Sequence, residues 1–281
     1  MLVIIGFIVV IAAVMGGYIS AGGVPIMVWQ PPEYVIIAGA ALGSFIASST
    51  SFTLKGAIKG LKTTVLGKNI GKNHYLEILA LLHALFNKMY REGIVSIEKD
   101  IENPDSSSLF QGYPTVAKDK TVGLFIGDTL RVLLSAGNPA ELDKLMASDV
   151  QVMMDENMIP AHEVNRTAES LPGMGIVAAV LGVTLAMAKI NAPPEELGHA
   201  VAAALVGTFI GILLCYGFAG PLAAKMENMA REKKFYYNVI REAVGAAVRG
   251  SAPIIALEYG RRAIPYAFRP TFLEMEEKLR G

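Results

Sequence analysis

The first twenty residues, MLVIIGFIVVIAAVMGGYIS, carry no charged side chain. As an α-helix such a run reaches about 30 Å, the thickness of a bilayer's hydrocarbon core. In lipid every backbone N–H and C=O needs an internal partner, so the segment has little choice but to be a helix. A cleaved secretory leader is the competing reading. It requires a basic stretch before the apolar run, and here Met1 opens the run directly. Three more apolar segments follow, at about 33–51, 172–190 and 199–221, the first of them after a loop containing Pro25, Trp29, Pro31 and Pro32. The expectation is four membrane spans.

Of the 25 Lys and Arg residues, only Lys189 lies outside the two hydrophilic regions, 52–170 and 223–281. Lys55, Lys59 and Lys62 follow the second apolar segment closely, and Lys225, Arg231, Lys233 and Lys234 follow the fourth. The positive-inside rule then places both hydrophilic regions, and both termini, in the cytoplasm. Residues 1–51 and 171–222 are predicted as membrane hairpins, 52–170 as a cytoplasmic helical domain and 223–281 as a cytoplasmic helical tail.

With 53% hydrophobic and 18% charged residues, the chain is not composed like a soluble enzyme. Its 25 acidic residues cancel its 25 basic ones, which leaves no global basic excess for nucleic acid. The single cysteine, Cys215, excludes an intramolecular disulfide. His74, His83, His162 and His199 are scattered, with no pair at metal-ligand spacing. There is no phosphate-cradling glycine loop and no nucleophile beside a plausible base, so neither catalysis nor a cofactor is predicted.

The hydrophilic regions read as helices. Leu54, Ile58, Leu61 and Val65 recur at helical spacing between Lys55, Lys59 and Lys62, which suits an anionic headgroup surface or an ordinary amphipathic connector. Leu76, Leu79, Leu82, Phe86 and Met89 mark a helix over 74–92, and Asn103-Pro104-Asp105 breaks the chain. Helical patterns resume over 115–136 and 140–170, and in Gly137-Asn138-Pro139 the asparagine is the expected N-cap with proline at the first helical position. No run of alternating residues reads as a strand. The fold class is an all-α membrane protein.

The central turns of the spans hold no Asp, Glu, Lys or Arg; Glu33, Lys189, Glu195 and Glu196 fall at predicted interfaces. Ion pathways normally contain such groups. Either the protein moves no ions, or a partner's helix supplies the carboxylate. Gly39 and Gly43 in the second span, and Gly207 and Gly211 in the fourth, form GxxxG pairs. Gly175, Ala178, Ala179, Gly182 and Ala186 give the third span a small-residue face. These faces serve packing within the chain, an oligomer, or a partner. The Thr208 hydroxyl either bonds back to the Ala204 carbonyl or faces a pore beside a partner's carboxylate. Pro172 and Pro221 stand at the predicted cytoplasmic ends of spans three and four, as helix-end residues or as hinges.

The segments SIEKDIENP (96–104), SLPGMGIVAAVLGV (170–183), ELGHAVAAALVGTFIGILLCYGFAGPLA (196–223), ALEYGRR (256–262) and RPTFLEMEE (269–277) resemble the MotA-type stator subunits of the bacterial flagellar motor. The similarity runs in register over nearly the whole chain. Spans three and four alone also resemble the wider group that includes ExbB and TolQ. The resemblance implies a multi-pass protein of the bacterial inner membrane, five copies of which surround two copies of MotB. MotB's helix carries the essential Asp, and ion flow turns the rotor through FliG. On this resemblance Thr208 matches the pore-facing threonine, Pro172 and Pro221 the two prolines of conformational coupling, and Glu98 the loop glutamate of rotor contact. The family's loop arginine falls at Tyr90, with Arg91 one position later and so turned by about 100° on a helix. Sodium-driven relatives place a threonine where this chain has Ala179, which implies a proton as the coupling ion. The alternatives are an ExbB/TolQ-like energy-coupling subunit, against which the apolar hairpin 1–51 argues, and a membrane scaffold without ion flux, against which Thr208 argues.

Overall fold

The structure is a computed structural model that describes residues 2–67, 70–104, 106–136 and 138–280. Asp105 and Gly137, which the sequence places at two breaks, lie outside the described residues. Among the described residues there is no strand. Thirteen α-helices are described: α1 (Leu2–Ser20), α2 (Pro31–Ser48), α3 (Ser51–Leu66), α4 (Lys72–Glu92), α5 (Glu98–Glu102), α6 (Ser108–Gln111), α7 (Pro114–Ala117), α8 (Lys120–Ala136), α9 (Pro139–Ala188), α10 (Pro194–Leu213), α11 (Gly220–Val248), α12 (Pro253–Ala263) and α13 (Phe272–Arg280). Between α10 and α11 the helix continues as a π stretch, Leu214–Ala219.

Local chemistry sets the helix starts. The Thr50 hydroxyl accepts from the Thr53 N–H at 3.2 Å to open α3, and the Asn138 side chain accepts from the Ala140 N–H at 3.0 Å to open α9. At α13 the bonds are reciprocal: Glu274 accepts from the Thr271 N–H and Thr271 from the Glu274 N–H. Gly93 ends α4 at φ +85°, backbone that glycine adopts without strain.

Among the described residues three helices are long and apolar enough to cross a membrane: α1, α9 through its C-terminal part, and the helix that begins at Pro194. The second expected span, α2, is an 18-residue helix whose first turn holds Pro31, Pro32, Glu33 and Tyr34, and these four dilute its apolar run. Two of the expected boundaries disappear. The helix read over 140–170 and the third span are one 50-residue helix, so Pro172 is not a helix-end residue but lies inside α9, as does Pro160. Each ring removes one i→i−4 hydrogen bond. The fourth span likewise runs on through the π stretch into α11, with Pro221 as its second residue.

The chain divides into two compact units. The first comprises Met1–Lys68 and Glu156–Met229. Within it Ile37 and Ala41 of α2 pack with Leu171, Ala178, Ile210 and Cys215. Ala57 of α3 packs with Ala161, Val164, Ala223 and Met226. α1 lies on the π stretch, where the rings of Phe7 and Phe218 stand 4.9 Å apart. The outer faces remain apolar and exposed, among them Ile8, Val9, Ile46, Val180, Leu185 and Leu205. That is the surface expected of helices solvated by lipid tails.

The second unit comprises Asn69–Asp155 and Ala230–Gly281. Its core is conventional, with Ile78, Leu79, Leu82, Leu85, Ile126, Leu130, Val239, Ile240 and Leu257 all fully buried. Burial is worth about 1.5–3 kcal/mol for each large side chain. Tyr237 stacks edge-on against Phe125 and shares a hydrogen bond with Thr121 at 2.7 Å. Glu258 accepts a bidentate pair from one edge of the Arg261 guanidinium, from Nε at 2.6 Å and Nη2 at 2.7 Å. Chiefly that bond, with Arg262 adding to it, overcomes burial and holds the Glu258 carboxyl down at about 2.

Candidate functional site

Glycines lock α9 against α10. A Cβ on Gly211 would fall 2.6 Å from the Leu171 carbonyl oxygen, and one on Gly175 would fall 2.8 Å from the Gly207 carbonyl oxygen. A Cβ on Gly182 would meet the Ala204 Cβ at 2.8 Å. The small faces of spans three and four are therefore spent largely on each other. Gly39 and Gly43 differ: both are exposed, and a Cβ on either would meet nothing within 4 Å. Ile37 and Ala41, not the glycines, form the inward face of α2.

Thr208 follows Gly207, and a Cβ on Gly207 would lie 3.2 Å from the Ala179 backbone nitrogen. The two positions assigned to an ion route thus occupy one level of the helix pair. Both are half-buried. Ala179 also lines an open groove of about 400 Å³ with Ile176, Val180, Val183, Thr184 and Met187. The Thr184 hydroxyl there bonds back to the Val180 carbonyl at 2.9 Å. Among the described residues no such bond ties Thr208 to Ala204, so the back-bonding reading of this hydroxyl is not met.

At the same level lies a residue that sequence reasoning left at the interface. Glu33 is only 7% exposed. Its Oε2 would stand 2.7 Å from a Cβ on Gly207, and its Oε1 3.3 Å from one on Gly182. Two missing side chains, one on each span, make the space for this carboxyl group. Oε2 is buried without a hydrogen-bond partner. The signal was present in the sequence as an acid opening an apolar helix, together with glycines in two other spans. Nothing local connected them.

The two prolines bracket the helix pair differently. Pro172 interrupts the hydrogen-bond ladder of α9 from within. Pro221 has no N–H to return to Gly217, and immediately before it the Gly220 N–H bonds the Cys215 carbonyl, five residues back. The π stretch is where that missing donor and the proline ring are absorbed.

Glu98 and Arg91 belong to the second unit, and both are exposed. Glu98 opens α5, which follows the short helical turn Ile94–Ile97. That corner is pinned from beneath. Asp100 is buried, accepting from the Lys88 ammonium at 2.7 Å and the Ser107 hydroxyl at 2.6 Å. Burial alone pushes the Asp100 carboxyl up, but the bonds from Lys88 and Ser107 with the Lys88 charge outweigh it and hold it below its ordinary value. Burial, and then the Arg91 charge, lowers the neighbouring His83 imidazole. Tyr90, where the family arginine is expected, is 73% exposed.

A family model described as Motility protein A N-terminal matches residues 4–93, and one described as the MotA/TolQ/ExbB proton channel family matches residues 118–238. Motility protein A of Salmonella typhimurium is 39% identical over 282 residues, covering 100% of this chain and 96% of that protein. Chemotaxis protein LafT of Vibrio parahaemolyticus is 36% identical over 98% of this chain and 97% of its own length. Among solved structures, that of C. jejuni MotAB superposes with a TM-score of 0.79 at 20% identity, covering 96% of this chain and 98% of that one.

Proposed function

The chain belongs to the motility protein A family, and from that premise we propose that it is a flagellar stator subunit that couples inward proton flow to rotor torque. The observation that carries the reading is the coincidence of end-to-end family identity with one shared level of the α9–α10 pair. There Thr208, Ala179 and the glycine contacts meet. A scaffold has no use for an unbonded hydroxyl at that level, and nothing in the site is arranged for bond-making catalysis.

In this reading residues 1–51 and 171–222 form two membrane hairpins, while 52–170 and 223–281 lie in the cytoplasm with both termini. α2 is the second of the four spans, since 18 residues reach about 27 Å, close to the hydrocarbon thickness. The protein sits in the inner membrane as a ring of five copies around two MotB helices, which bring the intramembrane Asp beside Thr208. The exposed Gly39 and Gly43 of α2 are left for a neighbouring copy or lipid. Glu98 and Arg91 meet the rotor protein FliG, and Pro172 and Pro221 relay the change of state between membrane and cytoplasm.

Co-expression with the cognate MotB in a strain lacking both stator subunits tests this reading. Swimming should return with the pair and with neither protein alone. Failure of the pair, with both proteins in the membrane, overturns it.

A further inference from the structure

We propose that Glu33 is a proton-binding site of this subunit, taking up and releasing a transported proton at Oε2 behind Thr208. The inference rests on the proton-channel reading above, and it adds a titrating carboxyl from this chain itself.

The argument begins with space. A carboxyl can lie between α9 and α10 only where both helices lack a Cβ, and Gly182 and Gly207 supply those two gaps. Gly182 stands six residues before the end of α9 at Ala188, about 9 Å along the helix axis, so the carboxyl lies within the membrane-crossing stretch. Glu33 reaches this depth from the first turn of α2, held by Pro31 and Pro32 at the helix start. The adjacent Tyr34 hydroxyl is committed to the Val28 carbonyl at 3.0 Å.

Among the described residues Oε2 has no hydrogen-bond partner. Between 171 and 188, α9 contains no titratable residue, and neither does α10 between 200 and 213. The nearest charged or titratable groups along these helices are Lys189 and His199 toward one end, with Glu195 and Glu196 beyond them, and Cys215 and Tyr216 toward the other, with Tyr34 on α2 itself. A buried carboxylate without a donor is costly, and a proton bound at Oε2 removes the charge that makes it so. Ionisable groups inside membranes are rare and mark ion routes. The position also sits one residue from Thr208 across Gly207, at the level of Ala179.

The test uses the full-length chain assembled with its MotB partner. Glu33→Gln keeps the shape and removes the proton site. It should assemble normally while rotation speed falls several-fold and loses its dependence on external pH. In the purified complex in lipid vesicles, the infrared band of a protonated carboxyl that changes with pH should be missing from Glu33→Gln. Glu33→Asp retains the group on a shorter arm and should shift the pH profile. Wild-type speed and pH profile in Glu33→Gln overturn the proposal, as does an infrared response identical in the two proteins. If Glu33→Gln does not assemble, an unshifted profile in Glu33→Asp overturns it instead. A wild-type complex that rotates without sensitivity to a protonophore would fail the proton-channel reading, and the infrared comparison would still decide whether Glu33 binds a proton.

Discussion

Gly175 and Gly211 stand backbone to backbone: a Cβ on Gly211 would lie 2.9 Å from the Gly175 Cα, and one on Gly175 would lie 3.1 Å from the Gly211 Cα. Backbone cannot give way as a flexible side chain can. Gly211→Ala is therefore expected to force the two helices apart and abolish motility, with reduced protein in the membrane. Gly39→Ala, which meets nothing within 4 Å, should leave the subunit's own fold and abundance unchanged. Immunoblots of membrane fractions beside swim-plate diameters check the contrast. Equal behaviour of the two variants contradicts it.

The Lys88–Asp100–Ser107 network should be visible as acid sensitivity. Because the Asp100 carboxyl is held below its ordinary value, its stabilisation is fully present above that value and is lost as pH falls through the depressed one. Asp100→Asn is expected to cost about 1.5–3 kcal/mol near neutral pH, the range for a hydrogen bond to a charged group. The difference from wild type should shrink in acid. Denaturant unfolding of the detergent-solubilised protein at the two pH values measures it.

Glu98 lies exposed on that pinned corner, so reversing its charge should leave folding intact. Glu98→Lys is expected to impair motility at normal membrane abundance, and a reversed charge on the rotor should restore part of it. Electrostatic complementarity governs register and encounter more than affinity. Arg91→Glu should act in the same direction, more weakly. Normal swimming by both variants would leave these charges as a solvated face.

Membrane topology can be read with single cysteines. Ser107 is buried against Asp100 and would label poorly on either side, and a side chain at Gly23 would strike the Tyr18 ring. Ser106 and Ala21 are exposed alternatives. With Cys215 replaced, an impermeant thiol reagent outside intact cells should label Ala21→Cys and spare Ser106→Cys. Labelling of Ser106→Cys reverses the proposed orientation.

Ala179 bears on the ion. A hard cation such as Na⁺ needs several oxygen ligands, and an alanine offers no side-chain oxygen where a second hydroxyl would help. Swimming speed should be independent of external Na⁺ at fixed pH and should collapse with a protonophore. Speed that rises with Na⁺ and survives the protonophore refutes the assignment.

Much of the fold was legible because hydropathy and helical period are local signals. α1 and the apolar parts of α9 and α10 stand out as uncharged runs, and 74–92 appears in the structure as Lys72–Glu92. The close-packed glycines of α9 and α10 were legible from residue type and spacing. What was not legible depended on contacts between distant segments. Glu33 reads as an interfacial acid until Gly182 and Gly207 are seen to make room for it. Pro172 reads as a helix boundary because proline usually marks one, yet α9 runs through it. The glycine pair in α2 has the same motif as that in α10, but only tertiary packing shows that it faces outward.

The π stretch Leu214–Ala219 amounts to one residue inserted into an otherwise continuous α-helix. Counting 100° steps onward from Thr208 therefore misassigns the facing of every residue from Gly220 to Val248 by about one position. The same arithmetic makes the stretch the place where a deletion keeps this helix in phase, at the expense of the room it gives Pro221. Removing one residue elsewhere in this helix rotates all that follows by about 100°. Removing one within 214–219 would erase the surplus and leave the helical faces on either side in phase.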